Sequence, residues 1–110
     1  MATAYKILGQ SAPANTSNAD LYTVPASTST VVSSVTITNT TATAANAIIY
    51  VRKAGAAAAT SNALVYAQSI PGNSTVSYTI GLTLATTDVI TINTATASAL
   101  TFQAFGSELS

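Results

Sequence analysis

Thr30-Val-Val-Ser-Ser-Val-Thr-Ile-Thr38 is β-branched at most positions, and its apolar and hydroxyl side chains recur with a period near two. β-branched residues are stiff at χ1 and pack well on a pleated surface, so this run predicts a strand. Strict alternation puts Val31, Val35 and Ile37 on one face and Val32, Ser34, Thr36 and Thr38 on the other. The same period governs the segments on both sides, and turn residues punctuate it at the short intervals of an all-β protein.

Upstream, Ala4 to Leu8 reads as a short strand. Gln10 to Asn18 reads as a loop in which Pro13 and the Asn/Ser cluster deny regular structure, and Asp20 to Val24 as a second strand stopped by Pro25. Downstream, Asn39 to Ala45 is a loop and Ala47 to Lys53 a strand, with Ile49 and Val51 on one face and Ile48, Tyr50 and Arg52 on the other. Ala54 to Asn62 is rich in Ala but short and interrupted by Gly55, which predicts a loop or a single turn. Leu64 to Ile70 is the next strand, ended by the turn Pro71-Gly72-Asn73. That turn leads into an expected hairpin partner, Thr75 to Leu84. There Val76, Tyr78, Ile80 and Leu82 take the core face, and Gly81 on the outer face suggests a bulge or a close backbone approach. Asp88 to Asn93, with Ile90 and Ile92 inward, and Leu100 to Phe105, with Leu100 and Phe102 inward, complete about eight strands. The expected fold is all-β: one antiparallel β-sandwich domain spanning residues 1–110, jelly-roll or immunoglobulin-like in topology.

Charge is nearly absent. In 110 residues there are three basic side chains (Lys6, Arg52, Lys53) and three acidic ones (Asp20, Asp88, Glu108), for a formal net charge of zero. Such a chain cannot neutralise a run of phosphates or dock electrostatically on anionic lipid, so neither nucleic acid nor membrane is an expected partner. The N-terminal segment has no basic region followed by an apolar one, so the expectation is synthesis inside a cell without a secretion signal. Thr, Ser and Asn supply the surface polarity. A surface of that kind is weakly sensitive to salt and poorly guarded against sheet-edge association, which suits a subunit whose edges are covered by neighbours.

There is no His and no Cys. The commonest general base, the thiolate nucleophile and the soft metal ligands are missing, and disulfides are excluded. A glycosidase needs two carboxyl groups roughly 5 to 9 Å apart. Asp20 and Asp88 both stand at strand starts, where Asp ordinarily accepts turn amides, and Glu108 falls in a terminal tail expected to be solvated. No Asp-x-Asp spacing points to Ca²⁺, no hydroxyl has an activating base, and the glycines form no phosphate-cradling loop. Catalytic, cofactor-binding and metal-binding residues are therefore expected to be none. Sequons at Asn15, Asn39 and Asn73 are what chance yields in so Thr-rich a chain. Tyr5, Tyr22, Tyr50, Tyr66 and Tyr78 with Phe102 and Phe105 could stack sugars, but they fall in predicted strands, Phe105 only as the last residue of its strand, and most read as packing residues. Arg52-Lys53 reads as an intersubunit ion-pair donor or a solvated strand end.

Four segments carry a further signal: Ala4-Tyr-Lys-Ile-Leu-Gly-Gln-Ser-Ala-Pro13, Asp20-Leu-Tyr-Thr-Val-Pro25, Val51-Arg-Lys-Ala-Gly55 and Phe105-Gly-Ser-Glu-Leu109. With the Leu-x-x-x-Asp-Val-Ile-Thr pattern at Leu84 to Thr91, they make the chain resemble, over nearly its whole length, a family of small virion structural proteins. Tailed phages of marine and freshwater bacteria, cyanophages among them, encode that family. The residues concerned set shape and carry no chemistry. The resemblance implies a non-enzymatic virion component, assembled in the host cytoplasm, whose partners are the major capsid protein or other virion proteins and copies of itself. The leading expectation is a capsid decoration (cement) protein. A neck, collar, baseplate or tail-fibre subunit is the alternative within virions, and a carbohydrate-binding adhesion module the alternative outside structural proteins.

Overall fold

The alternation along 30–38 is broken once in the computed structural model, which describes residues 2–110. Strand β3 runs Ser29–Asn39, and its register against its neighbour slips between Val32 and Ser34. Ser33 is the extra residue of a β-bulge, and a bulge shifts the side-chain phase by one. Thr30 and Val32 therefore join Val35 and Ile37 in the core, all four fully buried, while Val31 points outward. The face assigned to Val31 and Val32 by strict alternation is thus reversed upstream of the bulge.

Among the described residues, nine strands form two antiparallel sheets. The remaining eight are β1 (Thr3–Ser11), β2 (Ala19–Thr23), β4 (Ala45–Arg52), β5 (Ala63–Ile70), β6 (Thr75–Tyr78), β7 (Leu82–Leu84), β8 (Val89–Thr94) and β9 (Leu100–Leu109). One sheet has the order β1-β9-β3-β6, with β7 also on β3; the other has the order β2-β8-β4-β5. The pairs β4·β5, β3·β6 and β3·β7, β2·β8 and β1·β9 describe one long antiparallel ribbon with the β4–β5 connection at its tip. Two further pairings, β3·β9 and β4·β8, close that ribbon on itself. A rolled double ribbon in two packed sheets is a jelly roll, which decides against the immunoglobulin alternative.

The faces enclose a largely apolar core. Phe102, Val32, Val35, Ile37 and Ala104 come from the first sheet and Ala47, Ile49, Ile90 and Ile92 from the second, closed at one end by Ile70 and Leu100. Lys53–Gly55 and Thr60–Asn62 are single 3₁₀ turns in the Ala-rich connection between β4 and β5. No helix among the described residues is long and apolar enough to cross a membrane.

Three local expectations are corrected. Pro71-Gly72-Asn73 does not make a hairpin: β5 pairs with β4, β6 pairs with β3, and the turn carries the chain from one sheet to the other. Gly72 fits there because a Cβ would strike the Ala42 carbonyl. The strand expected over 75–84 is two strands, interrupted where the Leu82 N–H bonds the Ile80 carbonyl at 2.8 Å, a γ-turn about Gly81. A Cβ on Gly81 would meet open space, so no close approach explains that glycine. Finally, β9 continues beyond Phe105 to Leu109, so Glu108 is not in a solvated tail.

Candidate functional site

With six charged side chains in the molecule, where each one goes decides what chemistry remains. Glu108 of β9 faces the space between the sheets. Its Oε1 accepts from Lys6 Nζ of β1 at 2.7 Å, and only 13% of its side chain is exposed. Its Oε2 accepts the Tyr22 hydroxyl of β2 at 2.5 Å. That hydroxyl, having donated to Glu108, accepts from Thr30 Oγ1 of β3 at 2.7 Å. The hydrogen bonds from Lys6 and Tyr22 hold the Glu108 carboxyl below its ordinary pKa, against an opposing desolvation. Burial, reinforced by the neighbouring carboxylate, pushes the Tyr22 phenol up to about 12. A charge-assisted network thus joins four strands and both sheets at one end of the sandwich.

Arg52, at the end of β4, is equally committed. Its Nη1 donates to Asp20 Oδ1 at 3.1 Å and to Thr91 Oγ1 at 2.9 Å. Its Nε and Nη2 donate to the carbonyls of Ala56 and Gly55 at 2.6 and 3.0 Å. Thr91, 1% exposed on the central strand β8, also donates to Asp20 at 2.9 Å. The Arg52 expectation is corrected: the guanidinium is used within the chain, pinning the 53–62 connection to the sheet. The Asp20 expectation is corrected likewise, since its carboxylate takes two side-chain donors and no turn amide. Asp88 does accept turn amides, from Ala85 and Ala54, both at 2.9 Å. Asn62 fastens the other end of the connection, donating to the Ala57 carbonyl and accepting the Ala59 amide.

Each carboxylate is held by structural donors, and no group of three His, Cys, Asp or Glu residues that could hold a metal occurs among the described residues. Asn39, one of the three sequons, is 1% exposed. Its amide donates to the carbonyls of Thr43 and Ile70, and its Oδ1 accepts the backbone N–H and hydroxyl of Thr41. Sequence reasoning placed it in a loop; it is the buried tie at the corner where β3 leaves one sheet and β5 ends in the other.

The aromatic residues divide in the same way. Tyr22 and Phe102 are buried, whereas Tyr5 and Tyr66 are 85% and 60% exposed. These two belong to different sheets, on β1 and β5, and do not form one sugar-stacking platform. Tyr5 instead borders an open groove of 330 Å³ on the outer face of the five-stranded sheet, lined also by Lys6, Val31, Ser33, Phe105 and Ser107. The bulge at Ser33 helps build it by turning Val31 outward, and the Ser33 hydroxyl donates to the Phe105 carbonyl at 3.1 Å.

No protein-family model matches the chain, and no curated protein matches it. Among solved structures it is similar to a chain in the structure of infectious bursal disease virus, Gx strain, with a TM-score of 0.52 and 12% identity. The similarity covers 97% of this chain and 31% of the other, so this chain spans about a third of that protein's length. At that identity the likeness is one of fold: the same rolled sandwich occurs within a chain of a virus structure.

Proposed function

We propose that this chain is a non-enzymatic structural protein of a tailed-phage virion, in the family its sequence resembles, and that it decorates the capsid exterior as a cement protein. The observation that carries the reading is the use of its charges. All three carboxylates and the one arginine are bound into the fold, leaving a Thr/Ser/Asn surface of little charge with exposed apolar groups on both sheets. Such a surface suits repeated contacts between subunits better than capture of a charged ligand. The jelly-roll likeness to a virus chain supports the same reading at the level of fold.

As a cement, the protein bridges neighbouring capsid subunits and adds buried contacts that favour the intact shell, since anything that binds only the assembled state stabilises it. Its partners are then the major capsid protein and copies of itself, with neither nucleic acid nor membrane involved. The test is direct: purified protein is added to expanded shells and to particles stripped of it. Binding that saturates at a fixed copy number, with a higher disruption temperature than stripped particles, is the expected result. Failure to bind, with no loss of heat stability on stripping, overturns the cement role.

A further inference from the structure

We propose that a second copy of this chain docks on the free edge of β1, antiparallel and about a twofold axis at Tyr5, joining two five-stranded sheets into one. The inference deepens the assembly reading above and rests on it for its setting in a virion.

The four sheet edges differ in how they are guarded. β6 and β7 are broken by the γ-turn about Gly81. β2 has five residues and slips register between Asp20 and Tyr22. β5 slips register against β4 twice and contains Ala67 at a φ of 51°. Short length, bulges and kinks are the devices by which native edges refuse another strand. β1 lacks them from Thr3 to Ile7: its register against β9 is continuous there, all five residues are exposed, and the run contains no proline. Its one charge, Lys6, is drawn to Glu108.

The hydrogen-bond phase selects the pairing. Ala2 and Ser110 exchange both backbone bonds, at 2.7 and 2.9 Å. In an antiparallel pair such hydrogen-bonded positions alternate with non-bonded ones, so Ala4 and Lys6 bond β9 while Thr3, Tyr5 and Ile7 turn their N–H and C=O groups outward. Among the described residues nothing takes those groups. A copy related by a twofold at Tyr5 sets Tyr5 against Tyr5 of the second copy and Thr3 against its Ile7. Each such pair exchanges two backbone bonds. The same residues place Tyr5 and Ile7, 85% and 54% exposed, on the outer face. Two grooves with Val31 and Phe105 thereby merge into one apolar strip. A net charge of zero leaves no overall repulsion between copies, and Glu108 balances the Lys6 charge at the edge. A contact confined to five residues of edge, about 17 Å of strand, buries less than the roughly 800 Å² per partner of a standard interface, so a dissociation constant in the micromolar range is expected.

The absence of natural cysteine makes register measurable. Hydrogen-bonded partners lie about 5.5 Å apart at Cα, within disulfide reach. Under mild oxidation, Tyr5→Cys should cross-link to itself. Thr3→Cys and Ile7→Cys should each fail alone and link when mixed. Sedimentation should show wild type moving from monomer to dimer with concentration, while Tyr5→Lys with Ile7→Lys weakens the dimer at least tenfold with folding unchanged by circular dichroism. Wild type remaining monomeric to about 0.5 mM, a dimer indifferent to the lysines, or cross-linking without this register overturns the proposal. A monomer that still binds shells would sink the edge dimer alone; a dimer that ignores shells would sink only the cement role.

Discussion

Asn39 uses both amide protons and its carbonyl oxygen inside the protein, so no isostere can replace it. Asn39→Asp loses the two donors to Thr43 and Ile70 and buries a carboxylate; Asn39→Ala leaves those carbonyls and the Thr41 groups unsatisfied. Either change should lower stability by about 2–4 kcal/mol in denaturant unfolding. Tyr78 is the opposite case. Its hydroxyl is buried without a partner among the described residues, so Tyr78→Phe should be neutral or stabilising by about 1 kcal/mol. Glu108 and Tyr22 give the molecule its pH limits. Because folding depresses the Glu108 pKa, its contribution is present above the ordinary carboxylate range and is lost as pH falls below that range. Tyr22 is raised to about 12, so its contribution is complete below 10 and is lost as pH climbs from there. Thermal melts should be flat from roughly pH 6 to 9 and decline on both sides, Glu108→Gln flattening the acid limb and Tyr22→Phe reducing the alkaline one, to which Tyr78, also raised by burial, contributes. The scarcity of charge is plain in the sequence. The partners are not: Tyr22 and Glu108 meet only because β2 and β9 face each other across the sandwich.

At the scale of elements, the two bulges beside β9 set the outer groove. β1 slips between Ile7 and Gly9 and β3 between Val32 and Ser34, both opposite the Phe105 region. Gly106 lies there because a Cβ would strike the Val31 carbonyl. Gly106→Ala should destabilise the fold by about 1–3 kcal/mol. Gly81→Ala, facing open space at an ordinary φ, should stay within about 0.5 kcal/mol, and parallel denaturant titrations distinguish the two. Alternation made the strands legible, most clearly over 75–84, where Val76, Tyr78, Ile80 and Leu82 are indeed the less exposed set. It could not reveal the bulge at Ser33, since two consecutive serines carry no mark of which is unpaired. Pro71-Gly72-Asn73 announced a turn correctly, but a turn motif fixes the local chain direction and not the strand that the next segment will pair with.

For the whole molecule, two packed antiparallel sheets follow from period and punctuation alone, and so does the lack of a helical layer. The jelly-roll order does not, because β1 pairs with β9 and β2 with β8 across most of the chain length. The candidate surfaces were likewise only half legible: exposed aromatics could be counted, but only the fold shows Tyr5 beside a groove and Tyr66 on the other sheet. What the architecture offers is an internally braced block of little charge, with apolar outer groups and, among the described residues, a β1 edge free of bulges from Thr3 to Ile7, features that support the proposed assembly role. The most direct measurement of that claim is immunogold labelling of intact virions with antibody raised against the 110-residue chain, scored by position on the particle. Label spread over the head is the predicted result. Label confined to the neck or tail would contradict capsid decoration and make the protein an appendage subunit, and particles without label would contradict the virion assignment itself.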